Sequence, residues 1–390
     1  MESRNQTVTP SISNMRLFFS SLFVPGVYFM ILFSNLVMIA IGCGIMLFMK
    51  HMVSIFEDAI QGGVFGVYLL FGFVIFGMLI GLLVSLIGVL SIIFKKKQVE
   101  PAIVLNVNNH PRLRSFLEEL IGKMNTQMPH SILLHAKSTF FVRDGKQKVL
   151  NGVAKGRVLS ISMPLLHVLT VDELRWVLAH ELAHLTGKDR LFTQLVLPVY
   201  KGAVRYIETI DSVRHYKGRK LGLLSIPFIL PNLIMKAFVK WFYHVNKNIS
   251  RIREFRADSV STELCGTNTF CSALTKIVGY SQITDEVIDQ KIGDKLNAGY
   301  VYQNYYIDYR NQLETFKKKT EAYIEKVRTD VEDSNSSHPS FSNRLKNVSL
   351  IEGQYSNHEK AISLIEQIEE VETDLTGRYS NYLYQISMTD

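Results

Sequence analysis

His180-Glu181-Leu182-Ala183-His184 lies inside an apolar run, and its reading decides how the rest of the chain is understood. On an α-helix, residues four apart are separated by about 40° around the axis, so both imidazoles can reach one metal ion. The glutamate between them projects beside that ion, where it can take a proton from a water. Signals on either side agree. Thr170-Val171-Asp172-Glu173 reads as a capping box, and Leu174, Val177, Leu178 and Leu182 supply packing positions. Gly187 stands where a C-terminal cap belongs. The competing reading is a core helix that happens to carry two histidines. It would bury two imidazoles and a carboxylate without partners, which is costly.

Two histidines are too few for a catalytic zinc, which usually takes three protein ligands and keeps one position open. The best third donor is Glu254, in Arg251-Ile252-Arg253-Glu254-Phe255-Arg256-Ala257-Asp258. Asp258, four residues on, shares its helical face. That spacing lets Glu254 bind the ion while Asp258 accepts the ring N–H of a ligating histidine and fixes its orientation. Arg251, Arg253 and Arg256 keep a plainer alternative open, a surface helix of alternating charge.

The chain is 390 residues long, enough for a large core and more than one domain, and 47% of it is hydrophobic. The excess is local. Phe18 to Met49 contains no charged residue, and neither does Gly62 to Phe94. Each exceeds the roughly 20 apolar residues of a membrane-spanning helix. Pro25 and Ser34-Asn35 interrupt the first, which narrows its spanning core to Val27–Met49. A cleaved signal peptide fits poorly, because the run is too long, lacks an early cleavage pattern and is followed by another. Arg4 and Arg16 precede the first run, Lys95-Lys96-Lys97 follow the second, and the short connection carries Lys50 against Glu57 and Asp58. The positive-inside rule then puts the N-terminus and everything after residue 95 in the cytoplasm. Cys43 (within the first run), Cys265 and Cys271 make no secreted disulfide framework, and the latter two read as free thiols rather than metal ligands. The net charge of +8 suits an anionic membrane surface. Nucleic acid is not expected as a partner, because the cations are interspersed with acids and no recognition motif is present.

Downstream, Pro111 to Met124 reads as a helix. Phe140-Phe141-Val142, Lys148-Val149-Leu150 and Arg157 to Ser162 read as strands, with turns at Asp144-Gly145 and Gly152. The last strand, just before the metal-binding helix, is either an edge that pairs with an extended substrate or an ordinary internal strand. Leu191 to Tyr200 is too short to span a membrane, and Pro227 and Pro231 break Leu221 to Met235. If Glu254 is a ligand, the chain crosses the membrane zero or two times between it and His184. Zero is simpler, with Lys236, Lys240, Trp241, Phe242 and Tyr243 making 221–243 a membrane-proximal stretch. Tyr306, Tyr309, Leu313, Phe316, Tyr323 and Val327 mark an amphipathic helix over about 300–331, packed on the catalytic body or acting as a lid.

Three blocks in order, HELAH at 180–184, Glu254…Asp258, and His338-Pro339-Ser340 with Arg344, resemble one family. It is the gluzincin family of the HtpX-type membrane peptidases and the CAAX prenyl endopeptidase. The resemblance covers roughly residues 130 to 350. It implies one zinc per chain held by His180, His184 and Glu254, with Glu181 as general base and Asp258 behind a ligand. It casts His338 and Arg344 as groups that bind substrate or stabilise the transition state. Two further spans of HtpX-type members, the many spans of the CAAX enzyme and the Asn-Ala-Phe segment that often precedes the helix have no clear counterpart here.

The expected fold is α+β and mainly helical. A transmembrane hairpin (1–97) precedes a zincin-type catalytic domain (98–350) with a small sheet beside the HExxH helix, then a helical C-terminal tail (351–390). The expected function is a zinc endopeptidase at the cytosolic face of a bacterial inner membrane or an organelle membrane, in membrane-protein quality control. Its partners are protein or peptide substrates and the lipid bilayer, with oligomerisation left open. Two alternatives remain, a processing protease for lipid-modified or membrane-tethered peptides and a non-catalytic zinc-containing adaptor or chaperone.

Overall fold

Short apolar stretches between residues 99 and 162 form strands, and longer stretches with helical spacing form nearly everything else. The computed structural model describes residues 22–56, 72, 75, 79, 99–184, 197–214, 226–300, 302–329, 339–353 and 356–387. In chain order the elements are α1 (Phe23–Phe56), β1 (Val99–Glu100), β2 (Ala102–Leu105), α2 (Pro111–Lys123), β3 (Ser131–His135), β4 (Phe141–Asp144), β5 (Gln147–Val149), β6 (Gly152–Ala154) and β7 (Arg157–Ser162). There follow α3 (Met163–Leu166), α4 (Val171–Ala183), α5 (Leu197–Arg214), α6 (Ile226–Cys265), α7 (Thr267–Asn297), α8 (Tyr305–Thr329), α9 (Phe341–Lys346) and α10 (Ile368–Ser387). The fold is mainly helical with small mixed sheets, as the sequence predicts.

The described residues group into two units. One holds α1, α5 and the part of α6 up to Ile249; the other holds the strands and the remaining helices. In the first unit, Phe29, Leu32, Leu36, Leu47 and Phe48 of α1 are exposed. Asp211 of α5 accepts a hydrogen bond from Asn232 Nδ2 at 2.6 Å and pairs with Lys236 Nζ at 2.7 Å, tying α5 to α6. Among the described residues, no helix is long and apolar enough to cross a membrane. Only three positions of the second apolar run, 72, 75 and 79, are described. One expectation is corrected. Pro227 and Pro231 do not break the described part of the 221–235 stretch, 226–235, which lies within one helix, Ile226–Cys265. Pro227 sits in the first turn, where an N–H has no intrahelical partner, and Pro231 forgoes one bond close to the helix start.

In the second unit, a four-stranded sheet runs β2-β3-β7-β4, with β3 and β7 parallel and the outer pairs antiparallel. A smaller sheet runs β1-β5-β6. Period-two alternation sorts the side chains to two faces. Ile132, Leu134, Leu159 and Ile161 join Phe116, Leu117 and Leu120 of α2 and Leu174, Val177 and Leu178 of α4 in the main core. Leu133 and Val158 face the other way, into a cluster with Ala102, Val149 and Ala154. The strand ahead of the HExxH helix, β7, is internal and buried at Val158–Ser162. The outermost strand on that side is β4, which among the described residues pairs only with β7.

Tyr305, Tyr306 and Tyr309 of α8 are buried in the main core, so this helix packs on the body. So does the segment after residue 356. Leu375 and Tyr379 of α10 are core residues, and Glu372 is fully buried. The chain just before α10 grips the entrance to α4. Val171 N–H donates to Glu359 O at 2.9 Å, Ala361 N–H to Leu169 O at 2.9 Å, and Asn357 N–H to Asp172 Oδ2 at 2.5 Å. Gly266 joins α6 to α7 at φ +87°, and a Cβ there would stand 2.3 Å from Gly353 Cα, so no larger residue fits. Cys43, Cys265 and Cys271 form no disulfide.

The capping box predicted at α4 is present. Thr170 Oγ1 accepts from Glu173 N–H at 3.3 Å, and Glu173 Oε2 accepts from Thr170 N–H at 2.7 Å. The same carboxylate receives Ser272 Oγ at 2.5 Å and Lys276 Nζ at 2.7 Å, binding α7 to the start of α4. Thr170→Ala is expected to destabilise the protein by about 1 kcal/mol, read as a lower urea midpoint at unchanged m-value.

Candidate metal centre

α4 ends at the metal-binding motif. His180 lies in its last turn and His184 is its C-cap, so both imidazoles project from one end of the helix. Trp176, one turn earlier, packs its indole 5.4 Å from the His180 ring and donates from Nε1 to Thr262 Oγ1 of α6 at 3.3 Å. Thr262 is one turn beyond Asp258 on the same helix. This cross-link lies one turn from the histidine and the carboxylates that must meet.

The imidazole nitrogens of His180 and His184 face each other, Nε2 to Nε2 at 3.2 Å. Glu254 lies across from both, with Oε2 3.5 Å from His180 Nε2 and Oε1 3.8 Å from His184 Nε2. Donor atoms of all three fall within 4.8 Å of one another. A tetrahedral zinc with bonds of 2.0–2.1 Å requires ligand atoms roughly 3.3 Å apart, which the two nitrogens already meet at 3.2 Å, and the glutamate would close in to join them. Two nitrogens and one carboxylate also match the donor chemistry of catalytic zinc.

Behind this trio lies a second layer of charge. Asp258 is fully buried, and its Oδ1 lies 3.0 Å from His180 Nδ1. Arg344 of α9 completes the layer, with Nε 2.8 Å from Asp258 Oδ2 and Nη2 2.5 Å from Oδ1. Phe341, buried in the main core, and the Ser340 cap on Asn343 N–H hold α9 in place. His338 lies outside the described residues, as does Gly187.

Electrostatics separate the two histidines. Burial disfavours the His180 cation, but the carboxylates of Asp258 and Glu254 outweigh it and raise its pKa to about 9. Burial and the neighbouring His180 charge push His184 down to about 3. Asp258 is held below the usual carboxylate range, since Arg344 and His180 overcome the effect of its burial. Glu181 is raised to about 7, chiefly by burial, with Glu254 adding to the rise while His180, Arg344 and Arg143 oppose it. The pocket thus favours positive charge between Glu254 and Asp258, and it gives Glu181 a proton affinity near neutrality.

Of the residues named from sequence, His180, His184, Glu254 and Asp258 converge, Glu181 shares their field, and Arg344 reaches Asp258. Sequence reading passed over Trp176 and Thr262. The signal for them was spacing, since each lies four residues from a named site residue on the same helix. The Arg143 contribution to Glu181 was also missed; it arises from the neighbouring strand β4 and has no local signature.

The sequence model of peptidase family M48 matches residues 109–352, well over half of the chain. Protease HtpX of Acinetobacter baylyi is 30% identical over 142 residues, which cover 33% of this chain and 45% of that protein. Protease HtpX of Chromohalobacter salexigens is 25% identical over 241 residues, covering 58% of this chain and 76% of the relative. The chain thus spans less than half the length of the first of these and about three quarters of the second. The crystal structure of S. mikatae Ste24p is 16% identical, and the likeness covers 83% of this chain and 66% of that one. Its TM-score of 0.34 is too low to argue from. Given a family match that spans both histidines, Glu254, Asp258 and Arg344, this chain belongs to peptidase family M48.

Proposed function

We propose that this protein is a membrane-anchored zinc endopeptidase that hydrolyses peptide bonds at the cytosolic face of a membrane. One observation carries the reading. Donor atoms of two imidazoles and the Glu254 carboxylate converge to within 4.8 Å of one another, with Glu181 on the same helix as the two histidines. His180, His184 and Glu254 would hold one zinc per chain. When bound, that ion acts as a Lewis acid that polarises a scissile carbonyl and acidifies a water. Glu181 then accepts the water's proton and passes it to the leaving amine. The rise of its pKa towards neutrality fits a group that must take up and release a proton. Asp258 orients His180 from behind. His338 is assigned the stabilisation of the developing oxyanion on the family resemblance, an effect commonly worth about 3 kcal/mol.

An extended substrate adds to β4, whose outer edge has no strand partner among the described residues, and the sheet aligns its backbone beside the centre. Membrane anchoring rests on the two charge-free runs, 18–49 and 62–94, and the cytosolic placement rests on the cations flanking them. A site close to a bilayer meets the loops and tails of membrane proteins, which supports a role in their quality control.

The test is metal analysis of the purified full chain with casein as substrate. One zinc per chain is expected. A chelator should abolish cleavage, and stoichiometric zinc should restore it. Cleavage that survives complete removal of the metal would refute the proposal.

A further inference from the structure

Arg344 belongs to a block that family resemblance casts as acting on the substrate. Its geometry says otherwise. Two of its three guanidinium nitrogens are engaged with Asp258, Nε at 2.8 Å from Oδ2 and Nη2 at 2.5 Å from Oδ1. The Asp258 side chain is wholly buried and that of Arg344 is 14% exposed, so neither has water as an alternative partner of any extent. Asp258 Oδ1 faces both Arg344 and His180 Nδ1, so one oxygen links the guanidinium to the imidazole.

We propose that Arg344 is a positioning residue, which fixes the plane of the Asp258 carboxylate and through it the direction of the His180 ring towards the metal. A carboxylate held at one oxygen can rotate about its Cβ–Cγ bond, whereas one gripped in parallel by a planar fork cannot. The fork itself is anchored, since α9 is pinned by Phe341 in the main core and its first turn is closed by the Ser340 cap. His180 Nδ1 lies 3.0 Å from Oδ1, so the ring's direction depends on where that oxygen is held. To reach a substrate with the engaged nitrogens, Arg344 would have to abandon a buried carboxylate, which is strongly unfavourable. Lysine keeps the charge but offers a single point of contact, so it cannot substitute for the fork.

The inference rests on the zinc-peptidase reading and is tested by metal affinity rather than turnover alone. Zinc dissociation constants are measured on the full chain by competition with a chromophoric chelator, for wild type, R344A, R344K, D258N and the D258N/R344A double variant. Arg344→Ala and Asp258→Asn are each expected to weaken zinc binding 10- to 100-fold, the usual range for groups that orient a metal ligand. The double variant should be no more than about twofold worse than the poorer single one, because both changes cut the same chain of contacts. If R344A does not fold, R344K carries the test, since it keeps the charge beside Asp258 and should still lose at least about tenfold in zinc affinity. A folded R344A or R344K that holds zinc as tightly as wild type overturns the proposal. If such a variant also loses turnover, Arg344 acts on the substrate instead. Failure of the underlying reading appears elsewhere in the same experiment, as a wild-type chain that binds no zinc.

Discussion

Glu181→Gln is expected to reduce peptide-bond hydrolysis by at least about a hundredfold while one zinc per chain remains bound. Glutamine has the shape of glutamate, and residue 181 is not among the three converging donors, so the metal set of His180, His184 and Glu254 is untouched. What disappears is a site that can accept a proton. Without the metal, burial raises the Glu181 carboxyl to about 7, close to physiological pH. An amide cannot accept a proton at any pH relevant to the protein. A hundredfold loss corresponds to about 2.7 kcal/mol of barrier, within the range for a lost general base. Casein cleavage and zinc content are measured on the same preparation. Full zinc with undiminished cleavage would remove Glu181 from the mechanism. Loss of zinc together with activity would make it a structural residue.

Glu372→Ala should destabilise the fold by about 3–5 kcal/mol, the range for removing one partner of a buried charged network. Glu372 on α10 is fully buried and holds three groups at once. Arg310 Nη1 approaches its two oxygens at 2.6 and 2.8 Å, Asn304 Nδ2 donates at 2.8 Å, and His167 Nε2 lies 2.9 Å away. These partners come from α8, the turn before it and the turn after α3, so the carboxylate joins three parts of the second unit. Burial pushes its pKa up, but His167, Asn304 and Arg310 outweigh that and hold it below the ordinary value of 4.5. A depressed carboxyl contributes stability that is fully present above its unfolded value and drains away as pH falls through its folded value. The wild-type chain should therefore lose stability below about pH 4.5, and Glu372→Gln should flatten that acid limb while lowering stability at pH 7. Urea midpoints measured from pH 3.5 to 7.5 test both. An unchanged midpoint for Glu372→Ala at pH 7 would mean that α10 is not part of the folded body.

Much of the second unit was legible in local sequence. The capping box at Thr170–Glu173 and the strands near 141–144, 147–149 and 157–162 are written in short-range patterns of capping and alternation, and the structure has them. So is the helix beginning at Pro111. The tyrosine-marked helix appeared at Tyr305–Thr329, inside its expected bounds, because a 3.6-residue apolar period survives whatever it packs against. The prolines at 227 and 231 misled, since their effect depends on where a helix starts, and that start lies just ahead of them.

For the site, spacing alone determined that His180 and His184 share a face and that Glu254 and Asp258 share another, because helix geometry relates residues four apart without reference to anything else. Which faces meet was decided by packing between distant segments, through Trp176 against Thr262 and the buried faces of α4 and α7. Tertiary structure likewise chose Arg344 as the partner of Asp258 over Arg251, Arg253 and Arg256, which stand far closer in the chain. It also made β4 rather than β7 the outer strand, and it folded the segment after residue 356 onto the start of α4. Periodicity carries information over one or two helical turns, whereas a charge finds its partner only after the core has brought separate segments within a few ångströms.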